Sequence, residues 1–288
     1  MFVPRVQEAG LPVLALPLPE VSDVIKNIAV KCLKDFAASL ACGVIVSLFV
    51  VAAPSGLAFT LGATLIQLAV SAFFHSVGAF VSYKAQQGNE YQIHYERIAS
   101  ICEWITGINF AFFTGYNTQT LIHESGHALA TLLVYKNPRP MIELYPIVIY
   151  PLVGGANQFY KTGLSGFGKT IGPAAATCLV FASGPGLTLL LSSVLLAVGI
   201  AMKEKYPAFS KYLITWSVLD FVVHATYAYS AVSANQWNLS HDFVHLSIFG
   251  LNPVAAAIGL IVIPIVITLG TLWWKSNGKP PGEVPGGT

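Results

Sequence analysis

The chain has 288 residues, of which 55% are hydrophobic and only 10% charged. Soluble domains carry about 25% charge, so this composition, with a mean hydropathy of +0.66, excludes an ordinary soluble domain and indicates an integral membrane protein built as one helical bundle. A formal charge of +2 and the lack of any basic cluster argue against a nucleic-acid partner.

The first 20 residues carry prolines at positions 4, 12, 17 and 19 and acids at Glu8 and Glu20. They lack the basic start and unbroken apolar core of a cleavable signal peptide and are expected to be irregular. Residues 21–34 set Val21, Val24, Ile25, Ile28 and Leu33 against Lys26, Lys31 and Lys34, an amphipathic helix suited to the membrane surface. Phe36–Ala53 reads as a first span, ended by Pro54-Ser55-Gly56, and Leu57–Val81 as a second. His75 in the second span reads as a packed or hydrogen-bonded core residue. Tyr83–Arg97 is polar and reads as a loop. Ile98–Gly115 is a third apolar segment, with Glu103 at the interface, and Gly115-Tyr116-Asn117-Thr118 is expected to break it, Asn117 or Thr118 capping the next helix.

That next helix, about Thr118–Tyr135, contains His123-Glu124-Ser125-Gly126-His127. Residues four apart share one face of a helix, so the two imidazoles can grip one Zn²⁺. Glu124 stands beside them, where it can take a proton from water. In a chain with 7 His, such a pattern arises by chance roughly 0.005 times, and burying two His and a Glu among Leu, Ile and Ala without a shared partner is costly. Gly126 between them lets another helix come close.

Beyond the Pro138-Arg139-Pro140 stop, residues 141–159 turn β-branched and aromatic and read as short edge strands with Gly154-Gly155 as the turn. Tyr160–Lys169 reads as a flexible connection. Ile171–Met202 is long for one straight span, and Gly172-Pro173 and Ser183-Gly184-Pro185-Gly186 predict a broken helix with its main span from Gly186. Lys203–Lys211 is a polar loop, Tyr212–Val232 a span containing Asp220 and His224, and Asn235–Ser240 a polar turn. His241–Leu246 opens a short helix, Val254–Trp274 is the last span, closed by an aromatic pair, and the Gly/Pro-rich 275–288 tail is expected to be disordered. The chain is thus expected to be an all-α polytopic membrane protein with about six or seven transmembrane helices and a small β-hairpin region after the metal-binding helix. Its segments are 1–35 at the membrane surface, 36–274 embedded and 275–288 as the tail. If the spans alternate, Lys26, Lys31, Lys34, Lys84, Arg97, Lys136, Arg139, Lys161 and Lys169 fall on one side, the cytoplasmic one by the positive-inside rule, with Lys203, Lys205 and Lys211 against it. Cys32, Cys42, Cys102 and Cys178 are scattered without Cys-x-x-Cys spacing and read as free thiols.

A catalytic zinc has three protein ligands and an open position, so one acid must join His123 and His127. Asp220, mid-span, lies at a similar depth, and depth alone favours it. Asp242, flanked by His241 and His245, is the other choice. Either also has a purely structural explanation, as a hydrogen-bonding partner of a neighbouring helix or as a helix cap.

Residues 118–262 resemble the site-2 protease family of intramembrane zinc metalloproteases, in particular its compact bacterial branch without a PDZ domain. The resemblance rests on His123-Glu124-Ser125-Gly126-His127, on the β-rich stretch that follows, on Ala182-Ser183-Gly184-Pro185-Gly186-Leu187-Thr188, and on Asp242-Phe243-Val244-His245-Leu246 with Gly250 and Pro253. The Leu-Asp-Gly motif of the wider family is absent, since Phe221 follows Leu219-Asp220. The resemblance implies that Asp242 is the third metal ligand, that Glu124 is catalytic, and that the protein is an intramembrane endopeptidase of the cell (inner) membrane cleaving membrane-protein substrates within the lipid bilayer. A non-proteolytic transporter or metal-binding scaffold is the alternative, since intramembrane acids and broken helices also mark transport sites.

Overall fold

A computed structural model describes residues 20–48, 53–87, 91–146, 153–158, 163–234 and 241–277. The readings of residues 1–19, 235–240 and 278–288 lie outside the described residues. The architecture is all-α with one small sheet. Its elements are α1 (Val21–Ser47), α2 (Ala53–Gln86), α3 (Gln92–Val134), β1 (Met141–Pro146), β2 (Val153–Gln158), α4 (Gly166–Ile171), α5 (Pro173–Met202), α6 (Pro207–Ser230), α7 (Asp242–Ile248) and α8 (Pro253–Asn277). Among the described residues four helices are long and apolar enough to cross a membrane: Thr64–Gln86 within α2, α3, α5 and α8.

Several expected breaks are absent. The surface helix and the first span as far as Ser47 are one helix, α1, and Pro54-Ser55-Gly56 lies in the first turn of α2. The polar stretch 83–97 is mostly helical: α2 runs on to Gln86 and α3 begins at Gln92. Long polar side chains are good helix formers, and the Gln92 amide donates to Glu96 Oε1 at 2.9 Å, one turn on. The break expected at Gly115 does not occur, and α3 is a single helix of 43 residues, about 65 Å long at 1.5 Å per residue. Its hydroxyls are satisfied within the helix: Thr114 Oγ1 donates to Phe110 O at 2.6 Å and Thr118 Oγ1 to Thr114 O at 2.7 Å. Gly115 serves packing instead, since a Cβ there would lie 3.0 Å from the Trp216 ring on α6.

In the second half, the one interruption within the expected broken helix is Gly172, whose φ of 84° suits glycine; α5 then starts at Pro173, where a missing N–H costs nothing. The Ser183–Gly186 stretch stays helical. Ser183 Oγ donates to Val180 O and Thr188 Oγ1 to Pro185 O, at 2.7 and 3.0 Å. The described part of the expected flexible connection is ordered by a bridge between Tyr135 and Leu164 and by Ser165, which caps α4. The polar loop after α5 shortens to residues 203–206, because α6 begins at Pro207.

The sheet is one antiparallel pair, with Leu144 opposite Gly155 and Tyr145 opposite Gly154. Gly154 and Gly155 therefore lie inside β2 and do not form the turn. Leu196, Ile200, Phe221, Ala225, Ala228, Phe243, Leu246 and Leu260 form a core where α5, α6, α7 and α8 meet. A second cluster, Ala130, Val134, Tyr135, Ala176 and Val180, joins α3 to α5. The outer faces stay apolar: Ile258, Ile261, Ile265, Val266 and Leu269 on α8 are exposed, with Trp273 and Trp274 at its end. This is the inverse of a soluble helix and suits a lipid surround. All four cysteines are free.

Candidate metal centre

The site lies where α3 crosses α5. A Cβ on Gly126 would run into the Ser183 carbonyl, and a Cβ on Gly184 would run into the His127 ring and lie 2.8 Å from His123 Nε2. Two facing glycines thus let the backbones approach and leave a hollow filled by imidazole. The close helix approach expected at Gly126 is realised here; the matching role of Gly184 was not foreseen.

His123 and His127 project into this hollow from successive turns of α3, with their Nε2 atoms 3.1 Å apart. Asp242, the first residue of α7, brings Oδ2 to 2.8 Å from His123 Nε2 and Oδ1 to 3.3 Å from His127 Nε2. Donors around a tetrahedral zinc, each about 2.0–2.1 Å from it, are about 3.3 Å apart, so this separation fits. The ligand atoms of His123, Glu124 and His127 also lie within 4.8 Å of one another. The Asp242 set is the tighter one. Glu124 follows His123 directly and leaves the helix about 100° round from it, whereas Asp242 touches both rings.

Proton placement sharpens the fit. His127 Nδ1 lies 2.7 Å from Val180 O. A carbonyl only accepts, so Nδ1 holds the hydrogen and the Nε2 of a neutral ring is a bare lone pair. That lone pair faces a carboxylate oxygen and a second imidazole nitrogen, all largely buried. Three largely buried polar groups converging this closely need shared hydrogens or a cation among them. Asp242 is itself anchored: its backbone N–H donates to Tyr227 Oη at 3.0 Å, and the Tyr227 ring stacks on His241 at 4.1 Å.

Glu124 is buried beside the cluster. Its carboxylate lies over Gly155 of β2, where a Cβ would come within 2.6 Å of Oε1. Asn157 Nδ2 donates to the Glu124 carbonyl at 3.0 Å, which ties β2 to α3.

Asp220, the choice favoured by depth, is not in this cluster. Its Oδ2 accepts from Ser192 Oγ at 2.6 Å and its Oδ1 lies 3.0 Å from His224 Nδ1. His224, Tyr227, Asn157 and Gly184 were not singled out from the sequence as site residues. His224 carries a signal in the sequence, four residues after Asp220 and hence on the same helix face, and Gly184 lies in the Ala182–Thr188 stretch that carries the resemblance.

No family model, curated protein or solved structure matches this chain. Fold and site define an all-α, membrane-type protein with a buried His/Glu/His group able to hold a metal ion.

Proposed function

We propose that the protein is a multi-pass intramembrane zinc endopeptidase of the cell (inner) membrane, with α1, α2, α3, α5, α6 and α8 all crossing the bilayer. The observation that carries this reading is the convergence of His123 Nε2, His127 Nε2 and the Asp242 carboxylate with Glu124 beside them. His123, His127 and Asp242 would hold Zn²⁺. When bound, the metal supplies Lewis acidity to a peptide carbonyl and makes a water nucleophile accessible at neutral pH.

The chain's own groups do the rest. Glu124 takes a proton from the water that attacks the carbonyl carbon and passes it to the departing amide nitrogen as the C–N bond breaks. Gly155 keeps the space around that carboxylate open. A membrane-spanning substrate has its carbonyls locked in helix hydrogen bonds and must be drawn out before cleavage. The β1–β2 pair, fastened to the site helix through Asn157, offers strand edges beside the site that can receive an extended segment.

The test is co-expression with single-span membrane proteins and detection of the cut products. Glu124→Gln is expected to reduce cleavage at least about 100-fold while zinc content stays at that of the parent protein. Undiminished cleavage by this variant would overturn the mechanism.

A further inference from the structure

Behind His123, on the side away from Asp242, a file of polar groups crosses from α3 to α6 and α5. His123 Nδ1 lies 3.5 Å from His224 Nε2. His224 Nδ1 lies 3.0 Å from both the Asp220 carbonyl and Asp220 Oδ1. Asp220 Oδ2 accepts from Ser192 Oγ at 2.6 Å. His224 and Asp220 are buried, and an intramembrane carboxylate held this way needs a reason beyond packing.

Hydrogen bookkeeping gives the file a direction. His224 Nδ1 meets only acceptors at Asp220 and so carries its hydrogen. In a neutral ring that leaves Nε2 as an acceptor, facing His123 Nδ1. His123 Nδ1 is therefore the donor, and its Nε2 lone pair points at Asp242 and His127. The ring planes of His123 and His224 are tilted by 32° with centroids 5.7 Å apart. Thr188 Oγ1 stands 3.0 Å from Pro185 O and 3.1 Å from His224 Nε2, can turn its one hydrogen to either, and limits the swing of the ring.

We infer that His224, oriented by Asp220, is a positioning residue that fixes the tautomer and ring angle of His123 for metal binding. The inference rests on the metal site proposed above. It follows the rule that an imidazole ligand passes its second N–H to a fixed acceptor that tunes its basicity. Here the carboxylate stands one imidazole further back, and the same orientation of Asp220 that serves this purpose removes it from the ligand set.

The test uses the full-length protein in detergent, stripped of metal, titrated with Zn²⁺ against a chromophoric chelator and with Co²⁺ to read the visible d–d band. His224→Ala is expected to weaken Zn²⁺ binding about 10–100-fold and to shift the Co²⁺ band. His224→Gln, whose amide oxygen can still accept from His123 Nδ1, is expected to recover most of the affinity. His224→Phe fills the space without an acceptor and is expected to behave like Ala. Parent-like Zn²⁺ affinity in the Phe variant, or no recovery in the Gln variant, would show that His224 only packs. A parent protein that takes up no Zn²⁺ would overturn the metal site and this inference together, whereas equal affinity in parent and all three variants overturns this inference alone.

Discussion

Two parts of the bundle bury polar groups, and they handle them differently. In the α1–α2 part, His75 Nε2 meets Asp35 Oδ2 at 3.0 Å and Ser39 Oγ donates to Gln67 Oε1. Each is one donor with one acceptor, and one proton settles the His75–Asp35 pair. At the α3–α5–α7 junction a single carboxylate, Asp242, is shared by two imidazole nitrogens that also face each other at 3.1 Å. Such a cluster needs more than the one hydrogen that settles a pair, and a divalent cation would meet all three groups at once. Histidine and aspartate are thus ambiguous by identity and are separated by geometry: an isolated pair is met by one hydrogen bond, whereas a converging triad is a group that could hold a cation.

The comparison breaks most visibly if the triad is cut. His127→Ala or Asp242→Asn is expected to reduce bound zinc from about one per chain to near zero, measured by elemental analysis of purified protein, with cleavage lost in parallel. Zinc that survives either change would remove the distinction between the two regions. Next in size are the crossing glycines. Gly126→Leu forces a side chain into the Ser183 carbonyl and is expected to cost about 1–3 kcal/mol in detergent unfolding. Gly184→Ala, which places its methyl against both rings, is expected to depress zinc affinity out of proportion to its loss of stability.

His75→Ala probes the other side of the comparison. It strands the partly buried Asp35 and is expected to cost about 1–3 kcal/mol of stability with zinc content unchanged; a fall in zinc would mean that the two regions are coupled. The smallest effect is expected at the exposed Lys211–Glu103 pair, 3.3 Å apart. Lys211→Ala should shift stability by no more than about 1 kcal/mol and leave zinc alone.

The sequence and the fold disagree in two ways, and the first concerns glycine and proline. Gly115, the Ser183–Gly186 stretch and Gly154-Gly155 all look like punctuation, because glycine and proline weaken an isolated helix or strand. In the folded chain four glycines are used for approach: Gly115 to Trp216, Gly126 and Gly184 to each other's helices, Gly155 to Glu124. A residue that weakens an element alone can strengthen a crossing, and nothing in the local sequence reveals which outcome holds. The polar stretch at 83–97 differs for the opposite reason: its polarity suggests a loop, but Gln, Glu, Lys and Arg continue the helices there.

What the sequence by itself determined is what depends on composition and on near neighbours. The shortage of charge put the chain in a membrane, and the spacing of four put His123 and His127 on one face of a helix, because helical periodicity is a local property. Only the tertiary structure decided between two aspartates, since Asp242 lies 119 residues from His123 and no periodicity spans that distance. The start of α7, held by Tyr227, carries Asp242 onto the rings, while the packing of α6 on α5 hands Asp220 to Ser192 and its own helix hands it to His224. Which carboxylate meets the imidazoles is set by how distant helices cross, and that is a property of the packed bundle.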